Sequence, residues 1–197
     1  DSGVSSLDFT YHLYGHYITL QYEPKYWMSL NKNADSADLV NTEAWTFHND
    51  TLSVRSHHKL FSHRSPDFVI KVKSESNIYH YILDAKYTTP KKAFTHYLPE
   101  LTLKYLHGLH SKHGESTLLG LTLIAPNEQP QVNHYHGEGF NILAPVPVLP
   151  ALNIAMVSPG SEFEGNVTFE KVVERIVDLL LSKALPEREG LDLFKRA

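Results

Sequence analysis

Two short runs of residues hold most of the chemical potential of this sequence: Pro66-Asp67, and then Asp84-Ala85-Lys86. They bracket the stretch PDFVIKVKSESNIYHYILDAK, residues 66–86, which reads as two β-strands joined by the polar cluster Ser74-Glu75-Ser76-Asn77. Side chains alternate along a strand with a period of two, so Asp84 and Lys86 face one way and Ala85 the other. If the strands pair as a hairpin, the start of the first meets the end of the second, and Asp67 comes close to Asp84. Two carboxylates and an ammonium then converge at one end of a buried sheet, which is costly unless something is bound there. Mg²⁺ or Mn²⁺ suits oxygen ligands of this kind, with Asp67, Asp84 and the Ala85 carbonyl as the donor set. Lys86 is placed to orient a water or to meet charge developing on a phosphate. Asp67, Asp84 and Lys86 therefore form a sufficient minimal set for metal-assisted phosphodiester hydrolysis.

Elements on either side must position this set. His12 to Tyr22 reads as a strand, after a polar, frayed start over residues 1–10. Residues 31–42 read as a loop or short helix, and Phe47 to Val54 as a strand turning at Asn49-Asp50. The run RSHHKLFSHRS, residues 55–65, is either a solvated loop or a phosphate-contacting edge beside Asp67. Ile78 to Leu83 is apolar or aromatic on both faces and reads as an interior strand. Pro99 and Glu100 suit the first turn of a helix, with Leu101, Tyr105 and Leu109 on its apolar face and Glu100 spaced to pair with Lys104. Tyr97 and Tyr105 are read as packing residues, and Lys91, Lys92 and Lys104 as solvated or phosphate-facing. Thr117 to Ala125 is a buried strand, 126–141 a long polar loop, and Leu152 to Val157 a short strand. A last helix runs from Phe169 to about Lys183, with Phe169, Val172, Val173, Ile176, Leu179 and Leu180 as its buried stripe, and Pro186 stops it. The order of strands and helices predicts an α/β layered domain around a mixed sheet.

Composition narrows the class without choosing the chemistry. A chain of 197 residues with 42% hydrophobic and 20% charged residues suits a single domain, 1–197, with its core over about 15–183. A net charge of -4 does not advertise a nucleic-acid partner, although a local basic surface would suffice for one. No cysteines means no disulfides, which fits a reducing, cytoplasmic setting, and no apolar run reaches membrane-spanning length. The 13 histidines are scattered with no metal-binding spacing and read as surface or loop residues. The chain opens on Asp1, so it is expected to be part of a larger protein or complex.

Asp-x-Lys alone is a weak motif, and Glu23-Pro24-Lys25 shows the same spacing without an upstream Pro-Asp. The joint pattern is stronger. Pro66-Asp67 followed by Asp84-Ala85-Lys86 resembles the PD-(D/E)xK nuclease superfamily. LDAKY and PELTLKYLHGL are similar to the nuclease subunits of McrC-type restriction systems and related prokaryotic defence nucleases. The resemblance covers about residues 15–125. It implies a restriction-endonuclease-like α/β fold, with a mixed central sheet of four to five strands flanked by α-helices. It also implies Mg²⁺ or Mn²⁺ dependence and cleavage of nucleic acid, DNA before RNA, within a defence complex. Asp67 and Asp84 would be metal ligands and Lys86 the catalytic lysine. A further acidic ligand common in the superfamily would be Glu23, Glu43 or a residue upstream of Asp1. The alternative expectation is a catalytically inactive module of the same fold that binds nucleic acid or serves assembly.

Overall fold

The hairpin forms as its alternation demands. In this computed structural model, which describes residues 7–13, 15–29, 31–43, 45–48, 51–54, 63–158 and 167–185, the strands in chain order begin with β1 (Leu7–Leu13), β2 (His16–Tyr22), β3 (Tyr26–Trp27) and β4 (Leu39–Asn41). There follow β5 (Trp45–His48), β6 (Thr51–Val54), β7 (His63–Arg64), β8 (Phe68–Lys73) and β9 (Ile78–Ala85). The later strands are β10 (Leu109–Ser111), β11 (Ser116–Pro126), β12 (Gln131–His134) and β13 (Ala151–Val157). One mixed seven-stranded sheet runs β1-β2-β8-β9-β11-β13-β12. Strands β1, β2, β8 and β9 are antiparallel in sequence, while β9, β11 and β13 are parallel neighbours. The expected sheet of four to five strands is thus larger. Residues 1–10 are not simply a frayed lead-in, because Leu7–Leu13 pairs along its whole length with β2, turning near Gly15 at φ 77°.

Alternation sends the two faces of the sheet into two cores. Ile70, Val72, Tyr81 and Leu83 face the helix Val167–Ala184, whose Val172, Ile176, Leu179 and Leu180 are buried, as its periodicity predicts. Val69, Ile82, Leu121 and Leu123 face a helical segment over residues 90–106, which buries Ala93, Leu98, Leu101 and Tyr105. A bulge between Leu118 and Gly120 resets the phase of β11, so that Leu119 serves the first core and Leu121 the second.

The 90–106 segment starts earlier than Pro99. Thr89 caps it through its side chain, and Pro90 occupies the first turn. The α-helical turns Pro90–Lys92 and Leu98–Leu101 alternate with π-helical Ala93–Tyr97 and Thr102–Leu106. A proline inside an α-helix removes one N–H and collides with the carbonyl four residues back. The wide turn before Pro99, closed by the Leu98 N–H donating to the Ala93 carbonyl, accommodates it. Glu100 lies 3.8 Å from His96 and forms no ion pair with Lys104 among the described residues. Leu109, assigned from sequence to the helix, begins β10. The loop expected over 126–141 contains β12, and residues 31–42 supply the 3-10 turn Lys32–Ala34 and β4. Asn49-Asp50 and residues 55–62 lie outside the described residues.

A buried polar network locks the sheet. Asn153 of β13 donates to the Tyr81 hydroxyl at 2.8 Å and accepts from His134 Nδ1 at 2.7 Å, and Tyr81 and Thr122 hydroxyls lie 3.1 Å apart. Gly120 makes room for this network: a Cβ there would strike the Tyr81 ring and lie 2.6 Å from the Ala151 carbonyl oxygen. Replacing Gly120 by Ala is expected to destabilise the protein by about 1–3 kcal/mol through overpacking, read as a lower thermal midpoint with unchanged far-ultraviolet circular dichroism. His80 is the opposite case. It is fully buried on β9, and neither ring nitrogen has a hydrogen-bond partner. Burial pushes its pKa down to about 3, opposed by the Asp38 charge and reinforced by Lys71. A histidine that is neutral when folded and protonates when unfolded contributes acid lability. Stability is lost as pH falls below the ordinary histidine range toward 3. His80→Leu should flatten urea-denaturation stability across that window, and an unchanged pH slope would refute the assignment.

Candidate active site

Strand ends bring the chemistry together. Tyr22 pairs with Phe68 and Phe68 with Leu83, so the end of β2, the start of β8 and the end of β9 share one edge of the layer. Asp67 stands one residue before β8. Its Oδ2 accepts the Ala85 N–H at 2.6 Å, which ties the two strand ends together as the hairpin reading requires. Asp84, next to last in β9, is 1% exposed. Ala85 is exposed and Lys86 is half-buried, in keeping with the alternation.

Every oxygen of Asp84 has a donor. Lys86 Nζ forms a short ion pair with Oδ1, and the Tyr105 hydroxyl donates to Oδ2 at 2.8 Å. The same ammonium lies 3.1 Å from the Ala85 carbonyl oxygen. One positive charge is therefore held between a buried carboxylate oxygen and a backbone carbonyl, two of the three donors assigned to a metal from sequence. The convergence of hard oxygen donors on a cation is an arrangement that Mg²⁺ or Mn²⁺ also accepts. Among the described residues no group of three or more His, Cys, Asp or Glu side chains converges.

The two candidates for an additional acid are placed differently. Glu23, in the left-handed region at φ 47°, donates its backbone N–H to the Asp67 carbonyl at 2.8 Å, while its side chain hydrogen-bonds Tyr22 and raises that phenol's pKa. Glu43 is a partner of Arg64, with Arg64 Nε 3.0 Å from Oε1 and a short second bond to Oε2. The fork fixes Arg64 beside the site rather than supplying a ligand.

Three basic groups and a phenol surround the carboxylates. The Tyr105 pKa is driven up by burial first, then by the Asp84 charge and hydrogen bond, with Asp67 adding to it. Lys104 lies over the Tyr105 ring at 4.7 Å. Burial lowers its pKa most; Asp84 opposes that, while Lys86 and Arg64 add to it. Asp84, Lys86, Arg64 and Lys104 thus feel one another. Tyr105, read from the sequence as a packing residue of the apolar stripe, also carries a hydroxyl that meets Asp84. A hydroxyl in a buried stripe needs a polar partner, and that need was the available signal.

Compared with known proteins, the chain matches no family model, and no curated protein matches it. The case for function therefore rests on geometry. Removing the hydroxyl in Tyr105→Phe leaves one oxygen of a buried carboxylate without its donor, at an expected cost of about 1–3 kcal/mol. Chemical denaturation measures it, and an effect below a few tenths would mean that the contact carries no weight.

Proposed function

We propose that this chain is a nuclease domain of restriction-endonuclease-like fold that hydrolyses phosphodiester bonds with a divalent metal, acting on DNA. One observation carries the reading: Asp67, Asp84 and Lys86, chosen from sequence by spacing alone, meet at one sheet end, with the Lys86 ammonium between Asp84 Oδ1 and the Ala85 carbonyl. The mixed sheet with a helix on each face supports it.

Asp67, Asp84 and the Ala85 carbonyl would hold Mg²⁺ or Mn²⁺. Such an ion supplies charge stabilisation at the phosphate and a more acidic water. The remaining work belongs to this chain's own groups. Tyr105 fixes the Asp84 carboxylate through Oδ2, leaving Oδ1 to the cationic partner. The Ala85 N–H fixes Asp67. Lys86, half-buried on the same face, meets charge developing on the phosphate oxygens, and Arg64 and Lys104 give the approach a positive field. The setting is an effector domain of a prokaryotic defence complex, as the resemblance to McrC-type nucleases implies.

A second reading is an inactive module of the same fold, favoured by the paired Lys86 and by the lack of a third converging acid among the described residues. Plasmid DNA with Mg²⁺ separates the two. The native chain should nick or linearise it, and Asp84→Asn, nearly isosteric, should slow cleavage about 100-fold or more, the size of effect that removal of one transition-state donor typically has. Lys86→Ala should do the same when assayed well below its own, lowered thermal midpoint, since it takes one donor from the buried Asp84 carboxylate. Cleavage that survives Asp84→Asn would reject this site. Absence of cleavage together with no Mn²⁺ heat in calorimetry would favour the inactive module.

A further inference from the structure

A cleft of about 770 Å³ opens beyond the strand end that carries Asp84. Its lining includes Tyr87, Pro90, Pro126, Asn127, Glu128 and Ser158. These residues lie just beyond the carboxyl ends of the parallel strands β9, β11 and β13 or at the end of β11 itself. Ligands of open α/β sheets bind in this kind of position. Tyr87 follows directly on Lys86, whose backbone N–H is bound to the Ile124 carbonyl at 2.8 Å, so the wall of the cleft is anchored to the same strand end as Asp84.

The lining selects its occupant. Tyr87 is 98% exposed, and a single exposed aromatic is ordinary on a surface. This one lines a cleft together with the rings of Pro90 and Pro126. Among the described lining residues Glu128 is the one charged side chain, and it is acidic, which disfavours a phosphate there. The basic groups Arg64, Lys86 and Lys104 lie instead around Asp84. A chain with phosphate at the carboxylates and an uncharged, flat group in the cleft matches this division of charge. A nucleobase is such a group, and it stacks on aromatic faces in a sequence-tolerant way.

We propose that the cleft holds one unpaired nucleobase of the substrate, stacked on Tyr87, next to the phosphate positioned at Asp84 and Lys86. A base within a duplex has both faces covered, so the substrate is single-stranded or locally opened where it is cut. This inference rests on the nuclease reading for its substrate class, and its test is kept separate from catalysis.

The probe is a ten-nucleotide single strand carrying one 2-aminopurine, made as DNA and as RNA, and the DNA strand annealed to its complement. Binding is measured by anisotropy and stacking by fluorescence quenching, in chelator so that no hydrolysis intervenes. The native chain should bind and quench the single strand and leave the duplex probe unquenched. Tyr87→Phe should keep both signals. Tyr87→Ala, at a fully exposed position that cannot upset the core, should weaken binding about 10-fold and abolish the quench. The DNA and RNA arms show whether the sugar matters to a site that reads the base face. Native-like binding and quenching by Tyr87→Ala, or no single-strand binding by the native chain, overturns the cleft. A chain that stacks the base yet never cuts with Mg²⁺ leaves the cleft standing and rejects the nuclease reading alone.

Discussion

A buried carboxylate has to be surrounded by donors, and Asp84 sets that condition for half of the molecule. It is closed in by β9, by the 90–106 helical segment and by Lys86. An ion buried with incomplete partners costs several kcal/mol, on the order of an entire domain's net stability. The phenol of Tyr105 and the ammonium of Lys86 meet that demand, and Asp67 ties the neighbouring strand end to Ala85. The helical segment is therefore held in place by a polar contact as well as by Ala93, Leu98 and Leu101 in the core. The contacts that gather Asp67, Asp84 and Lys86 at one sheet end are also contacts the fold needs.

The sheet imposes the second constraint. A parallel array of β9, β11 and β13 is buried on both faces, and its interior polar groups, His80 apart, have to satisfy one another. Tyr81, Thr122 and Asn153 do so across three strands, with His134 at the edge. The bulge in β11 and the absence of a side chain at Gly120 let the network and both apolar cores coexist. A slip of one residue would bury Leu121 where Thr122 now answers Tyr81.

Local alternation made the hairpin legible in the sequence, and with it the meeting of Asp67, Asp84 and Lys86. Both depend on contacts between neighbouring strands whose register follows from the turn at residues 74–77. What was less legible depends on distant partners. Leu7–Leu13 carries Leu7, Phe9, Tyr11 and Leu13 on an exposed edge, and only pairing with β2 makes it a strand. Pro99 and Glu100 do stand in the first turn of the α-helical stretch Leu98–Leu101, but no local signal reveals the wide turn that joins it to the helical residues before it. Tyr105 reads as an apolar stripe residue because spacing reveals which face it is on and not what its hydroxyl meets. Arg64 and Glu43 are far apart in the chain, and no local pattern pairs them. Glu23, a candidate acid from the sequence, joins Asp67 through its backbone, while its carboxylate meets Tyr22.

The 90–106 segment has a mechanical consequence. Its beginning, Thr89 and Pro90, borders the cleft, and its end carries Lys104 and Tyr105 to the carboxylates. It works as a strut with one foot in each place, and its two wide turns fix its length and phase. Adding or removing one residue along it would rotate Tyr105 off Asp84 while leaving Pro90 where it is. Length changes are therefore far less tolerable here than in an ordinary surface helix, and drift in this protein should accumulate as substitutions along the strut rather than as insertions.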